Sequence, residues 1–421
     1  MGLHIGASHG VRHLPRCTNG PIMALGRHAG ERAFAGQGGF RAKRHSTEEP
    51  DSAGIRGSSV SSCRHRWSCT QATLLQRTRQ CWHLKADAVN QIPLYPLRFE
   101  PIYEYRLWGG RRLAKLLSAP LPGDGPIGEA WLLSDRDDHA SLVADGPLKG
   151  CTLGQLLKES PEQLLGKLAG HFRRFPLLLK FLDARDTLSV QVHPSDRQTN
   201  YLPAGESGKT EAWVILEAGP ESRIYAGLNP GTTADDLGRA IANGTVPERL
   251  ASFRPMPGDA IFLEAGTVHS LGGVVAFEVQ ENSDVTFRLY DWDHVDATTG
   301  KHRDLQIDQA MACIDFAQGA VGPVAPAVEE VEPVLRERLF LCEHFGVWRL
   351  SGESPFTVGA AGSPRVLVCT AGDGQLDHDG ASYPFGKGDV LLLPAVVGAC
   401  FCRPRGVMSL LELSLPDGAT K

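Results

Sequence analysis

Two histidines, a glutamate and a glutamine carry the side chains best placed to do chemistry. Gln191 and His193 stand in LSVQVHPSD, Glu211 follows in GKTEAW, and His269 sits in GTVHSLG. In an extended chain, side chains two apart share a face, so Gln191 and His193 point one way while Val190 and Val192 point the other. Glu211 and Trp213 share a face of the next strand, with Lys209 on that face just before it. Two imidazoles, a carboxylate and an amide oxygen suit Zn²⁺ with positions left open for a substrate. Residue types alone leave Mn²⁺ and Fe²⁺ as alternatives.

The elements that must position these residues read in order along the chain. Residues 1–90 carry 13 Lys and Arg against 5 Asp and Glu with little apolar periodicity, and are expected to be a disordered basic extension. Strands and turns begin near Tyr95. YPLRFEPIYEYRLWGG gives a strand and a Trp108–Gly110 turn, and GPIGEAWLLSD a half-buried strand. Two short helices are expected in LKGCTLGQLLKESPEQLLGKL, with Pro161 at a first helical position. WVILEAGPESRIYAGL reads as two strands parted by a Gly-Pro turn. A helix follows, capped by Thr232 or Thr233 and ended by Asn243–Gly244. A last helix in DLQIDQAMACIDF has Asp304 as its expected N-cap. The proline-rich stretch 321–334 is the expected linker, and 337–415 returns to short strands with glycine turns. The expected division is a catalytic domain over 91–325 and a second β domain over 335–416.

Composition excludes several classes. The chain has 421 residues, 42% hydrophobic and 22% charged, which suits a globular protein, and no run of about 18 apolar residues suggests a membrane span. Residues 91–421 carry 30 basic against 43 acidic side chains, an acidic body that argues against nucleic acid as a partner. A phosphorylated ligand would need a local cluster of cations. The ten cysteines are scattered with no CxxC pair and read as mostly free thiols of a cytoplasmic protein. A monomer or homodimer is expected.

Two stretches echo one another: PMPGDAIFLEAGTVHSL (255–271) and FGKGDVLLLPAVVGACF (385–401). Both resemble the second half of a cupin, a double-stranded β-helix of the jelly-roll type. The first has His269 after its corner, whereas the second has Gly398 and Ala399. The resemblance implies a mainly β, cupin-type catalytic domain with short helical insertions, followed by a metal-free cupin-like domain. Further, QVHPSD, GKTEAW, AGTVHSLG and FEVQENSDVTFRLYDW resemble the motifs of type I mannose-6-phosphate isomerases. RLWGG and GEAWLLSD are similar to the amino-terminal signature of the short bacterial form. Together these cover about 95–415.

That family implies interconversion of mannose 6-phosphate and fructose 6-phosphate through a cis-enediol. It implies one zinc per chain on Gln191, His193, Glu211 and His269, and substrate contacts from Ser189 and Lys209. Glu278, Asp284 and Arg288 fall at the family's acidic and arginine site positions. The chemistry needs a base to carry a proton from C2 to C1 and a stabiliser of developing charge. Arg288 suits the phosphate or the oxyanion, and Lys209 the phosphate or a proton transfer. Glu278 is either the base or a partner that orients Arg288. The alternatives are a cupin isomerase of another phosphorylated aldose, such as glucose 6-phosphate, and a non-catalytic sugar-phosphate binder. His294 and His302, around the DWDHVD run, read as a solvated loop in preference to a second ion site.

Overall fold

The computed structural model describes residues 94–415 except 118 and 298; the basic head expected over 1–90 lies outside them. The first β assembly contains β1 (Ile102–Gly110), β2 (Ile127–Leu133), a small hairpin β3 (Asp135–Arg136) and β4 (His139–Ala140), β5 (Leu177–Ala184), β6 (Val190–Val192), β7 (Glu211–Leu228), β8 (Leu250–Phe253), β9 (Ala260–Leu263), β10 (His269–Glu281) and β11 (Phe287–Tyr290). All but the hairpin join one nine-stranded antiparallel sheet, ordered β1-β2-β5-β10-β6-β11, with β7 on β10 and both β8 and β9 on β7. The sheet curls into the mainly β, cupin-type jelly-roll.

Strand β10 is the hub. Its second half, Val274–Glu281, pairs with β5, its start pairs His269 with Gln191 of β6, and β7 runs along nearly its whole length. The period of two explains β5, whose sequence LLLKFLDA is buried throughout. Leu179 and Phe181 enter the main apolar core, while Lys180 and Leu182 face the open cleft on the other side.

The stretch expected as two strands in WVILEAGPESRIYAGL runs as the single strand β7. Its register against β10 slips between Arg223 and Ala218, so Gly219–Ser222 bulge out without ending the strand. Ser222 Oγ holds the bulge by donating to Gly273 O and accepting from Gly219 N. Pro220, which has no N–H to give a ladder, is tolerated in such a bulge.

Among the described residues, four α-helices interrupt the strands: α1 (Leu153–Glu159), α2 (Pro161–Leu165), α3 (Ala234–Asn243) and α4 (Ile307–Cys313). Thr233 caps α3 in a reciprocal capping box with Asp236, and Gly244 closes it in the left-handed conformation. Helix α4 begins later than expected, with Gln306 and not Asp304 at its N-cap. The cause is that Gln306 is tied to β11 twice: its N–H donates to Arg288 O and its Oε1 accepts from Arg288 N.

The second β assembly comprises β12 (Ala327–Glu330), β13 (Leu335–Leu341), β14 (Gly346–Gly352), β15 (Phe356–Val358), β16 (Arg365–Ala371), β17 (Asp373–His378), β18 (Ala381–Gly386), β19 (Val390–Leu393), β20 (Cys400–Pro404) and β21 (Met408–Ser414). They form a six-stranded and a four-stranded sheet. The proline-rich stretch before β13 is no free tether. Val321 and Val324 donate to Ala226 and Ala260 of the first assembly, and β12 pairs with β13. One apolar core draws on both assemblies, with Phe181 and Phe277 from the first and Phe345, Leu392 and Leu413 from the second.

Among the described cysteines, Cys313, Cys342, Cys369, Cys400 and Cys402 are free, and Cys151 is disulfide-bonded. No helix among the described residues is long and apolar enough to cross a membrane.

Candidate metal centre and active-site cleft

Sheet register brings the chemical residues together. Gln191 on β6 lies opposite His269 on β10 and opposite Arg288 on β11. Glu211 at the start of β7 opposes Gln280, and Trp213 opposes Glu278. His193 follows β6, and the segment before β7 must press against the backbone there. Only glycine fits at 208, because a Cβ would come within 2.5 Å of Asp196 N and 2.7 Å of the Ser195 carbonyl carbon.

His193, Glu211 and His269 are all buried, and their ligand-type atoms lie within 4.8 Å of one another. His193 Nδ1 faces Val285 O at 2.8 Å and His269 Nδ1 faces Thr267 O at 2.8 Å. A carbonyl only accepts, so both Nδ1 atoms carry the proton and both Nε2 atoms present lone pairs. Those lone pairs point at Glu211: His193 Nε2 is 3.4 Å from Oε2 and His269 Nε2 is 3.3 Å from Oε1. Glu211 Oε1 is buried with no hydrogen-bond donor. Acceptors facing acceptors in a buried site suit a shared cation, so the donor set fits a metal ion on its own chemistry.

Gln191 completes the edge of the set, its amide Nε2 lying 3.3 Å from His269 Nε2 and its Oε1 3.3 Å from Ser189 Oγ. Lys209 Nζ is 3.0 Å from His193 Nε2 and donates to Glu211 Oε2. Burial, then the Lys209 charge, lowers the His193 pKa to about 3. Burial lowers that of His269 as well. For Glu211, burial would raise the pKa, but Lys209 and the two histidines hold it well below the usual carboxylate range. The site is thus set as neutral imidazoles and an anionic carboxylate, the protonation states a divalent metal needs.

Beside this centre opens a cleft of ≈ 380 Å³ whose wall includes Ser189, Gln191, Lys209, Glu278, Asp284 and Arg288. Sequence reasoning had singled out each of these. Glu278 is buried and accepts from Trp213 Nε1 at 2.9 Å. Its Oε1 is 3.4 Å from Lys180 Nζ, so its partners come from β7 and β5. Burial, then the Glu211 charge, raises its pKa despite Lys180 and Lys209. Arg288 Nε is buried with no hydrogen-bond partner. Burial, then the neighbouring Arg303, lowers the pKa of Arg288. Arg303 itself is neutralised by Asp291, with Nε to Oδ2 at 2.9 Å. His294 and His302 belong to neither His–carboxylate cluster found among the described residues; His302 Nδ1 faces the His294 carbonyl at 3.0 Å.

The structure adds residues the motifs did not reveal. Lys180 is buried between Glu278, Asp284 at 3.7 Å and Glu129 at 3.8 Å, and lies over the Trp131 ring at 4.9 Å. Glu129 is bound by Arg106 through Nε at 2.9 Å and by Trp131 Nε1 at 2.7 Å. Burial would raise the Glu129 pKa, yet Lys180 and Arg106 hold it down to about 2. Lys180→Met would leave three carboxylates facing one another without their shared cation. Breaking a buried ion pair from one side costs about 3–5 kcal/mol, and urea unfolding of the variant is expected to show a loss of that size.

A curled antiparallel sheet with a two-histidine, one-carboxylate cluster fit for a metal and a charged cleft beside it is the architecture of a cupin enzyme. Residues 97–211 match the family described as phosphomannose isomerase type I, catalytic domain. The chain is 38% identical over 309 residues to mannose-6-phosphate isomerase ManA of Bacillus subtilis, covering 72% of this chain and 94% of that protein. It is 33% identical over 306 residues to the mannose-6-phosphate isomerase of Streptococcus mutans, covering 72% and 93%. The crystal structure of the mannose 6-phosphate isomerase from Bacillus subtilis superposes with a TM-score of 0.70 at 28% identity, over 76% of this chain and 100% of that one. The chain belongs to the type I phosphomannose isomerase family, and it is an isomerase.

Proposed function

We propose that this chain interconverts mannose 6-phosphate and fructose 6-phosphate through a cis-enediol, with one zinc held by Gln191, His193, Glu211 and His269. The observation that carries the reading is the convergence of two Nε2 lone pairs on Glu211, each imidazole turned by a backbone carbonyl, beside a cleft of mixed charge that includes Lys209 and Arg288. Relatives of up to 38% identity bearing that activity in their names support it. When bound, zinc would supply polarisation of the sugar's carbonyl and hydroxyl oxygens.

The chain's own groups do the rest. Glu278 takes the proton from C2 of the aldose and returns it at C1, while the O2 proton passes to O1 in the enediol, so that C2 becomes the carbonyl and C1 the hydroxyl. Its raised pKa makes it a stronger base than an exposed glutamate, and the Trp213 hydrogen bond fixes its orientation. Lys209, which donates to Glu211 at the edge of the donor set and also lines the cleft, meets substrate oxygen there. Ser189 and Asp284 complete the sugar-binding wall. Arg288, on the cleft wall, offers its guanidinium to the anionic end of the substrate or to the developing oxyanion.

Two measurements test the reading together: metal analysis of the purified chain, and a coupled assay of mannose 6-phosphate turnover. Full zinc occupancy with no turnover would replace the isomerase reading with that of a binding protein. Arg288→Ala is expected to keep its zinc and lose about 10- to 100-fold in kcat/KM, the range for a charge-assisted hydrogen bond of about 1.5–3 kcal/mol. A near-parental rate in that variant would remove Arg288 from the reaction.

A further inference from the structure

We propose that His344, on the turn between β13 and β14 of the second β assembly, is a positioning residue for the centre in the first. The inference rests on the roles proposed above for Lys209 and Glu211. These two residues flank Thr210, at the point where the chain enters β7. Thr210 is clamped by Glu281 at the end of β10. Its N–H donates to Glu281 Oε1 at 2.8 Å, and its carbonyl accepts from Glu281 N at 3.1 Å. Two residues earlier, Gly208 N donates to Asp196 Oδ1 at 2.7 Å. Two carboxylates therefore hold the backbone on either side of Lys209.

Both carboxylates converge on His344. The ligand-type atoms of Asp196, Glu281 and His344 lie within 4.8 Å of one another. His344 Nδ1 is 3.2 Å from Glu281 Oε2, and its Nε2 is 3.3 Å from Glu343 Oε1. His344 pairs with Glu281 through Nδ1 and lies within 4.8 Å of Asp196, so its imidazole is the one group among the three able to donate where the two carboxylates approach. Without it, two like charges face each other beside a buried backbone, and the cheapest relief is for Glu281 to swing off the Thr210 amide. The turn bearing His344 is itself anchored, because Phe345 is fully buried in the shared core and packs edge-on to Phe262 of β9 at 6.3 Å. The second assembly thus reaches the Thr210 clamp through an imidazole beside a buried anchor.

Hydrogen exchange of the full-length protein reads the positioning directly. In His344→Leu, a peptide spanning 206–212 is expected to exchange at least about tenfold faster than in the parent, while the remainder of β7 is unchanged. His344→Asn keeps a donor near the Nδ1 position and is expected to restore slow exchange. Turnover of mannose 6-phosphate should follow, with kcat about tenfold lower in His344→Leu at a KM within about threefold, and recovery in His344→Asn. Parental exchange over 206–212 in His344→Leu overturns the inference. So does faster exchange spread over the whole chain, which would mark a merely structural role. If the parent itself fails to turn over mannose 6-phosphate, the isomerase reading falls, and the exchange experiment alone still decides the place of His344.

Discussion

His269→Ala is expected to lose both bound zinc and turnover. Its Nε2 is one of the two imidazole lone pairs aimed at Glu211, and no other described side chain offers a replacement from β10. With the metal gone, the polarisation it supplies, worth several kcal/mol, goes too, which corresponds to a fall of more than about 10³-fold in kcat/KM. Metal analysis should return well under one zinc per chain, and added zinc should not restore the rate. The fold should survive, since the substitution also removes a buried acceptor facing the orphaned Glu211 Oε1. A His269→Ala protein that keeps both zinc and rate would place the centre elsewhere.

Glu278→Gln is expected to give the opposite signature: full zinc, an intact fold and about 10²- to 10⁴-fold less kcat. Glutamine preserves the shape and can still accept from Trp213 Nε1; the change removes basicity and one charge partner of Lys180, which keeps Glu129 and Asp284. The pH profile makes the test specific. A base works only when deprotonated, so the parent loses activity as pH falls through the Glu278 pKa. Burial and Glu211 hold that pKa above the ordinary glutamate value. The acid limb should therefore begin at a higher pH than a free glutamate would give, and Glu278→Gln should lack it. A glutamine variant within about tenfold of the parent would reduce Glu278 to a positioning partner.

The candidate centre was legible in the sequence because the residues proposed to hold the metal lie in or next to strands, within motifs that stay contiguous. Gln191, His193, Glu211 and His269 are all brought to one place by pairing of β6, β7 and β10. Lys180 was not legible. LLLKFLDA reads as a strand buried on both faces, and nothing local says that the lysine turns inward to three carboxylates drawn from β2, β10 and the loop after β10. Arg106 was hidden for the same reason, since its partner Glu129 lies across the β1–β2 pair. The start of α4 and the continuity of β7 were misread because tertiary hydrogen bonds from Gln306 and Ser222 outweigh local capping and turn propensity. The proline-rich stretch looked like a tether because its backbone partners, Ala226 and Ala260, are remote in sequence.

The pairing of Leu97 with Leu392, through N–H···O bonds of 2.8 and 2.9 Å, bears on how the chain is made. Leu97 opens the described fold and sits fully buried in the shared core, yet its partner belongs to β19, among the last strands to leave the ribosome. During synthesis the catalytic sheet can assemble while one of its core flanks stays uncovered, and that flank closes only when the final strands arrive. Such long-range closure is slow and leaves apolar surface exposed in the interval. A chain truncated before residue 390 is thus expected to leave that flank exposed, which faster proteolysis near Leu97 than in the full chain would show.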